Sequence, residues 1–174
     1  MAPAGRDVRP TTDRVREALF AALGSLGAVE GANVLDLFAG SGALGIEALS
    51  RGAAAATFVD RSPAALDAVR TNLAHTRLTD RAQVVRADAT AHLERLTGAG
   101  SASGGRAPGG SGADRGPVAP DLVLCDPPYA AADWEHLLPA LATATPGAWV
   151  VLEWGRPVPV PDLWEVVREK RYGT

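Results

Sequence analysis

Short apolar runs alternate along the chain with segments in which apolar residues recur every three or four positions. The runs predict β-strands at 33–38, 56–60, 83–88, 121–125, 148–154 and 164–172. The periodic segments predict helices at 9–23, 43–52, after Ser62-Pro63, at 90–96 and at 133–141. Strands that alternate with helices indicate an α/β fold with a doubly wound, mostly parallel sheet. In such sheets ligands bind at the carboxyl ends of the strands, where the strand order reverses.

One segment interrupts this alternation. Residues 98–119 are almost entirely Gly, Ala, Ser and Pro and have no apolar periodicity, so they bury too little surface to offset the entropy of ordering. Strand-like sequence resumes directly afterwards. We therefore expect a single domain over residues 1–174 with a flexible insertion at 98–119.

Composition narrows the class of protein. The 174 residues carry a net charge of −3, so no overall basic field indicates nucleic-acid binding, and any RNA contact must be local. The lone Cys125 has no disulfide or zinc partner and is expected to fill the core. The sequence shows neither a signal-type N-terminus nor a transmembrane run. We expect a cytoplasmic protein, monomeric by default, with no membrane partner and no metal site.

The first strand leads into a glycine-rich turn, Gly40-Ser41-Gly42-Ala43-Leu44-Gly45, which formally matches G-x-G-x-x-G before a helix. Such turns bring the backbone close to a bound cofactor. A nicotinamide dinucleotide is one candidate, but Asp36 lies under the turn, and a carboxylate beside a pyrophosphate is costly. A cationic cofactor fits better, and S-adenosylmethionine carries an ammonium and a sulfonium.

Acids also end the next two strands. Asp60 could accept hydrogen bonds from ribose hydroxyls, and Asp88 could accept one from an adenine amine. Each acid alone is as well explained as a helix cap or a solvated loop residue. Their recurrence at successive strand ends favours a cofactor site.

The fourth strand ends in Asp126-Pro127-Pro128-Tyr129. Proline restricts the residue before it to extended conformations, so the two prolines make a rigid corner that presents only acceptors, the Asp126 carboxylate and the Pro127 carbonyl. An exocyclic base amine would dock there with its lone pair directed at an activated methyl group. Tyr129 offers a ring on which a flipped base can stack. A stiff turn is the structural alternative.

These residues resemble a known family, the bacterial 16S ribosomal RNA guanine-N2 methyltransferases that modify guanine 966. Three segments carry the resemblance: RPTTDRVREALF, VLDLFAGSGALGIEALSRGA and DLVLCDPPY. It implies a Rossmann-like methyltransferase fold and a substrate in 16S rRNA or the small ribosomal subunit. It also implies an S-adenosylmethionine site at Asp36, Gly40, Ser41, Gly42, Asp60 and Asp88, with Asp126, Pro127 and Tyr129 at the target amine. We expect the adjoining Phe38, Arg61 and Ala89 to line the same cofactor site.

The resemblance also covers the N-terminal helix, where Arg9, Thr12, Arg14 and Arg16 are candidates for contacting RNA. Compositional bias toward arginine is the alternative. The family usually has a basic hairpin before this helix and a last strand after Tyr-Gly-x-Thr. We expect this chain to lack both, and expect an exposed sheet edge or a displaced segment 164–172 as a result.

Three alternatives remain open. The D-P-P-Y motif is shared with DNA adenine and cytosine amino-methyltransferases, although no target-recognition region is visible in the sequence. A cofactor-binding module without activity would follow from loss of the RNA-binding hairpin and last strand. A dehydrogenase would use the glycine turn but leaves D-P-P-Y unexplained.

Overall fold

The computed structural model describes residues 10–99, 119–128, 133–154 and 158–170, without the side chains of residues 10–12 and 99. Predictions for Arg9, Tyr129, residues 100–118 and residues 171–172 therefore lie outside the described residues. No helix in the described ranges is both long and apolar enough to cross a bilayer.

In the described residues, five strands alternate with four α-helices after a first helix. The helices are α1 (Pro10–Ser25), α2 (Ala43–Ser50), α3 (Pro63–Thr76), α4 (Ala89–Ala99) and α5 (Trp134–Ala144), with a short 3-10 helix at Thr79–Arg81. The strands are β1 (Asn33–Leu37), β2 (Ala55–Asp60), β3 (Ala82–Arg86), β4 (Leu122–Cys125) and β5 (Trp149–Leu152). The predicted α/β class is confirmed.

The five strands form one sheet in the order β3-β2-β1-β4-β5, and every pairing is parallel. The order reverses between β1 and β4, so the carboxyl ends of these neighbours flank the switch point. The glycine turn after β1 and the D-P-P-Y motif after β4 therefore follow neighbouring strands. The register pairs Leu37 with Cys125, so the turns after β1 and β4 start at the same level of the sheet.

Two apolar layers cover the two faces of the sheet. Phe20, Leu49 and Val69 bring α1, α2 and α3 onto one face. Leu93 and Leu138 bring α4 and α5 onto the other. Side chains alternate between faces along each strand, and burying each large apolar side chain contributes roughly 2 kcal/mol. The sheet is therefore held rigidly, and the loops at its carboxyl edge are positioned by it.

Local signals explain several boundaries. Ser62 caps α3 by accepting a hydrogen bond from the Ala65 amide, and Pro63 occupies the first turn, as the sequence predicts. Thr12 and Asp13 both lie within α1, and Pro10 is the first residue that the structure describes. Helix α4 extends to Ala99, so the first two residues of the predicted insertion 98–119 are helical.

The last predicted strand, 164–172, is wrong over its described part. Residues 164–170 form no helix or strand, and Val166 and Val167 are 58% and 53% exposed. Among residues 164–170, only Trp164 packs against the core. A strand needs a neighbour to complete its ladder of hydrogen bonds, and two adjacent valines in the sequence do not supply one.

Candidate active site

A cavity of about 400 Å³ opens at the carboxyl ends of β1, β4 and β5. The residues that line it are Asp36, Phe38, Ala39, Gly40, Ser41, Ala43, Leu44, Asp126, Pro127, Pro128 and Glu153. The turn after β1 and the corner after β4 therefore border the same space. Its volume lies within the range of small-molecule sites.

The turn after β1 has an unusual backbone. Phe38, Gly40 and Gly42 all have positive φ angles, of 57°, 55° and 78°. This region is strained for Phe38, which has a Cβ, and accessible to glycine. The turn is closed by the Gly42 amide, which donates to the Ala39 carbonyl at 2.7 Å. Gly40 and Ser41 of this turn line the cavity just before the start of α2.

Gly45 explains why α2 lies so close to the sheet. A Cβ at this position would lie 2.4 Å from Cε1 of Phe58 and 2.9 Å from Oδ2 of Asp36. The absence of a side chain lets the Gly45 amide donate to Oδ2 of Asp36 at 2.9 Å. The third glycine of the motif therefore fixes both the helix and the carboxyl group under the turn.

Asp36 is 2% exposed, and burial raises the pKa of its carboxyl to about 8. The Gly45 hydrogen bond opposes this rise, whereas the charges of Asp126 and Asp60 add to it. Without a ligand, the Asp36 carboxyl is therefore largely protonated at neutral pH. A cation brought beside it would favour the carboxylate and lower its pKa.

Asp60 ties the glycine turn to the next strand. Its Oδ2 accepts from the Gly40 amide at 3.0 Å, and its Oδ1 accepts from the Ser62 amide at 2.8 Å. Asn72 on α3 also holds this turn, because its side-chain amide donates to the Ser41 carbonyl at 2.9 Å. Sequence reasoning missed Asn72, since a contact between residues 31 positions apart leaves no local pattern.

The other predicted cofactor residues lie outside the cavity lining. Asp88 accepts from the amides of Thr90 and Ala91 at 3.0 and 3.3 Å, so it caps α4, which is the structural role that the sequence left open. Ala89 and Gly42 are buried, and Arg61 is exposed. Their participation in cofactor binding stays a prediction.

The corner after β4 combines a buried and an exposed proline. Pro127 is buried and Pro128 is exposed. Desolvation by the surrounding atoms raises the pKa of Asp126 to about 6, and the charge of Glu153 adds to the rise. The Asp126 side chain remains in contact with solvent, which is consistent with a smaller rise than that of the buried Asp36.

Glu153 is the cavity residue that sequence reasoning missed. It follows β5 as Asp126 follows β4, and its amide donates to the Cys125 carbonyl at 2.9 Å. An acid at the end of a predicted strand was the signal that identified Asp60, Asp88 and Asp126. The same rule applied to the fifth strand would have identified it.

Two predicted residues of the N-terminal helix can be placed. Arg14 is exposed. Arg16 pairs with Asp13 at 2.9 Å and lies 3.8 Å from Glu47, so part of its charge is already balanced within the protein. The side chain of Thr12 lies outside the described part of the structure.

Two further features limit the chemistry. Cys125 is buried, and burial raises the pKa of its thiol to about 12, so it fills the core as predicted. Within the described ranges, no three His, Cys, Asp or Glu side chains are arranged as metal ligands.

A second cavity, of about 490 Å³, lies at the amino ends of β1, β4 and β5, near Glu30, Asp121 and Trp149.

Comparison with known proteins identifies relatives of this chain. A family model described as Conserved hypothetical protein 95 matches residues 1–103. YlbH of Bacillus subtilis (strain 168), a candidate rRNA methyltransferase, is 37% identical over 182 residues, which cover 99% of this chain and 86% of YlbH. Ribosomal RNA small subunit methyltransferase D of Escherichia coli (strain K12) is 47% identical over 91 residues, which cover 52% of this chain and 44% of that enzyme.

The fold agrees with these relatives. The solved structure of yhhF from Escherichia coli, a candidate methyltransferase, superposes with a TM-score of 0.70 at 33% identity, covering 95% of this chain and 82% of yhhF. The architecture is the Rossmann-like fold of S-adenosylmethionine-dependent methyltransferases. The chain belongs to the Conserved hypothetical protein 95 family, and its relatives include proteins named ribosomal RNA small subunit methyltransferase D.

Proposed function

We propose that this protein transfers a methyl group from S-adenosylmethionine to the exocyclic N2 amine of a guanine in 16S rRNA, at the guanine 966 that the family resemblance implies. One observation carries the proposal: the Asp126-Pro127 corner and the glycine turn line the same cavity. The names of the relatives support ribosomal RNA of the small subunit as the substrate.

The β1 side of the cavity fits a cationic cofactor. Asp36 is buried with one oxygen engaged by the Gly45 amide, and its pKa is raised to about 8. A positively charged ligand would recover the free energy that burial of this carboxylate costs. Gly40 has a positive φ angle and lines the cavity, so no Cβ stands there between the backbone and such a ligand.

We assign the following contacts on this side. When bound, S-adenosylmethionine supplies a sulfonium methyl group, whose transfer breaks a C–S bond and forms an N–C bond. Asp36 would offset the positive charge, and Ser41 with the turn backbone would hold the methionine portion. The Asp60 oxygens already accept from Gly40 and Ser62, and their remaining lone pairs suit ribose hydroxyls.

The β4 side would hold the amine that receives the methyl group. The two N–H groups of the amine donate to the Asp126 carboxylate and the Pro127 carbonyl, which directs the nitrogen lone pair away from these acceptors. Methylation leaves the nitrogen with one proton too many. Asp126, whose pKa is raised to about 6, is a base of suitable strength to take that proton near neutral pH.

RNA binding would use the exposed face of α1. Arg14 is exposed and is the better candidate for a phosphate contact, because Arg16 is engaged with Asp13. Guanidinium groups bind phosphates with two parallel hydrogen bonds. Stacking of the target base on Tyr129 stays a prediction from the sequence.

Methyl transfer tests this proposal directly. Radiolabelled S-adenosylmethionine is incubated with unmethylated small subunits, and in parallel with duplex DNA. We expect label in the rRNA only, and loss of transfer by about 1,000-fold or more in Asp126→Ala, because both positioning and the proton acceptor are removed.

Asp80→Ala is the matched control. Asp80 is exposed and lies in the short 3-10 helix that leads into the opposite end of β3, so its loss should leave transfer unchanged. Undiminished turnover in Asp126→Ala would refute the catalytic role. Label in DNA and none in rRNA would refute the substrate.

A further inference from the structure

Glu153 is held beside Asp126 by the ladder between β4 and β5. The register pairs Cys125 with Leu152, so the next residue on each strand is Asp126 and Glu153. The Glu153 amide donates to the Cys125 carbonyl at 2.9 Å, which continues the ladder past the strand ends. Neighbouring parallel strands are about 4.8 Å apart, so the two acids start from adjacent backbone positions.

Both acids are directed toward the cavity. Cys125 and Leu152 pack on the face covered by α4 and α5, and side chains alternate along a strand. Asp126 and Glu153 therefore belong to the other face, on which Asp36 reaches Gly45 of α2. Both of them line the cavity wall.

A guanine presents a particular pattern to such a wall. Its N2 amine lies next to the ring N1–H, so this part of its Watson–Crick edge carries only donors. In adenine and cytosine the ring nitrogen next to the exocyclic amine is an acceptor. A carboxylate only accepts, so a second carboxylate beside the amine-holding corner attracts guanine and repels the other two bases.

We propose that Glu153 is a specificity-determining residue that accepts the N1–H of the target guanine, while Asp126 and the Pro127 carbonyl hold its N2 amine. This inference rests on the proposed function. It would explain why two acids lie side by side although the charge of Glu153 makes ionisation of Asp126 harder. A base that donates to both relieves this repulsion.

The test compares two substrates in wild type and Glu153→Gln. Small subunits are prepared with the target guanine unmethylated, and with adenine substituted at the same nucleotide. In Glu153→Gln we expect transfer to guanine to fall about 10- to 100-fold, since a charge-assisted hydrogen bond is lost. We expect N6-methyladenine to become detectable by mass spectrometry, because the glutamine amide can donate to the adenine ring nitrogen.

Two measurements separate specificity from a structural role. Calorimetric affinity for S-adenosylmethionine should be unchanged in Glu153→Gln, whereas a distorted site would weaken it. Glu94→Gln is the control, because Glu94 is exposed and lies on α4, on the other face of the sheet. Glu94→Gln should transfer methyl groups to the guanine and adenine substrates at the wild-type rates.

The outcomes are distinct. A Glu153→Gln variant that keeps the wild-type preference for guanine, or that loses transfer together with cofactor affinity, would overturn the role of Glu153. A wild-type enzyme that binds S-adenosylmethionine but methylates no guanine would refute the proposed function, and this inference with it.

Discussion

The two walls of the cavity are built differently. On the β1 wall the protein's own hydrogen bonds fix the turn: Gly45 to Asp36, Gly40 to Asp60, and Asn72 to Ser41. On the β4–β5 wall, proline restriction and the strand ladder fix the backbone, and the Asp126 carboxylate accepts no hydrogen bond from any residue that the structure describes. The first wall is shaped before a ligand binds, whereas the second leaves its Asp126 acceptor open.

This difference indicates that the β1 wall binds the cofactor and that the β4–β5 wall holds the substrate. Hydrogen bonds that already exist cost nothing to organise when a cofactor binds. The Asp126 oxygens, which no described residue engages, can be satisfied by a substrate that brings its own donors. Substitutions on the β1 wall should therefore change cofactor affinity, and substitutions on the β4–β5 wall should change transfer and base choice.

On the β1 wall, the largest effect is expected for Asp36→Asn. Asparagine keeps an oxygen for the Gly45 amide but cannot become negative, so affinity for S-adenosylmethionine should fall about 100-fold or more. Calorimetry measures this loss, and the exposed Asp80→Asn is the control. Wild-type affinity in Asp36→Asn would remove the electrostatic account of the β1 wall.

Asp36→Asn should weaken cofactor binding but stabilise the unliganded protein against unfolding. The Asp36 pKa is raised to about 8 in the folded protein from 3.8. Between pH 4 and pH 8 the Asp36 carboxyl is therefore ionised in the unfolded state but protonated in the folded state, which favours unfolding as the pH rises. Wild-type stability is therefore lost as the pH rises from about 4 to about 8. The unliganded Asp36→Asn protein should gain on the order of 3 kcal/mol relative to wild type between pH 4 and pH 7. Denaturant titrations in which this gap does not widen with pH would contradict the raised pKa.

Gly45→Ala tests the close approach of α2 to the sheet. The added Cβ would overlap Phe58, whose side chain is fully buried and cannot move away, so we expect destabilisation of about 2–3 kcal/mol and weaker cofactor binding. Gly24→Ala in α1 is the matched control, because a Cβ there meets no atom within 4 Å. That variant should be neutral or slightly more stable. Equal stability of the two variants would show that the turn is not tightly packed.

The pH dependence of transfer tests the β4–β5 wall. Asp126 can take a proton only when ionised, and its pKa is about 6. At RNA concentrations well below saturation, where the rate reports ionisation of the enzyme before RNA binds, the rate should therefore fall about tenfold for each pH unit below 6 and level off above it. Single-turnover measurements from pH 4.5 to 7.5 check this. A flat profile would exclude Asp126 as the proton acceptor.

The smallest effect is expected for Asn72→Ala. Its hydrogen bond to the Ser41 carbonyl is exposed, so its loss should weaken cofactor binding by only about three- to tenfold and leave the maximal rate unchanged. Kinetics at varied cofactor concentration separate the two quantities. A lower maximal rate at unchanged cofactor affinity would show that Asn72 affects methyl transfer, which the account assigns to the β4–β5 wall.

Sequence patterns predicted most of the fold because the determinants were local. The apolar runs of β1 to β5 and the Ser62-Pro63 cap each act over a few residues. The strand predicted at 164–172 failed because pairing depends on a neighbour, which local sequence does not contain. The extension of α4 to Ala99 was missed because glycine and alanine resemble insertion sequence there.

The candidate site was predicted in part for the same reason. Asp36, Gly40 and Asp126 belong to compact motifs, and they meet because the strand order brings β1 beside β4. Asn72 carries no motif of its own, and its contact to Ser41 exists only in the folded chain. Glu153 follows a strand as Asp126 does, but its place beside Asp126 in the cavity depends on the strand order.

A crystal structure with S-adenosylhomocysteine would test the central claim most directly. We predict that the ligand lies over the glycine turn, with its sulfur within roughly 7 Å of the Asp126 carboxylate, since an amine nitrogen must fit between them. Density that places the sulfur away from Asp126, or in the cavity near Glu30 and Trp149 at the amino ends of the strands, would contradict the account.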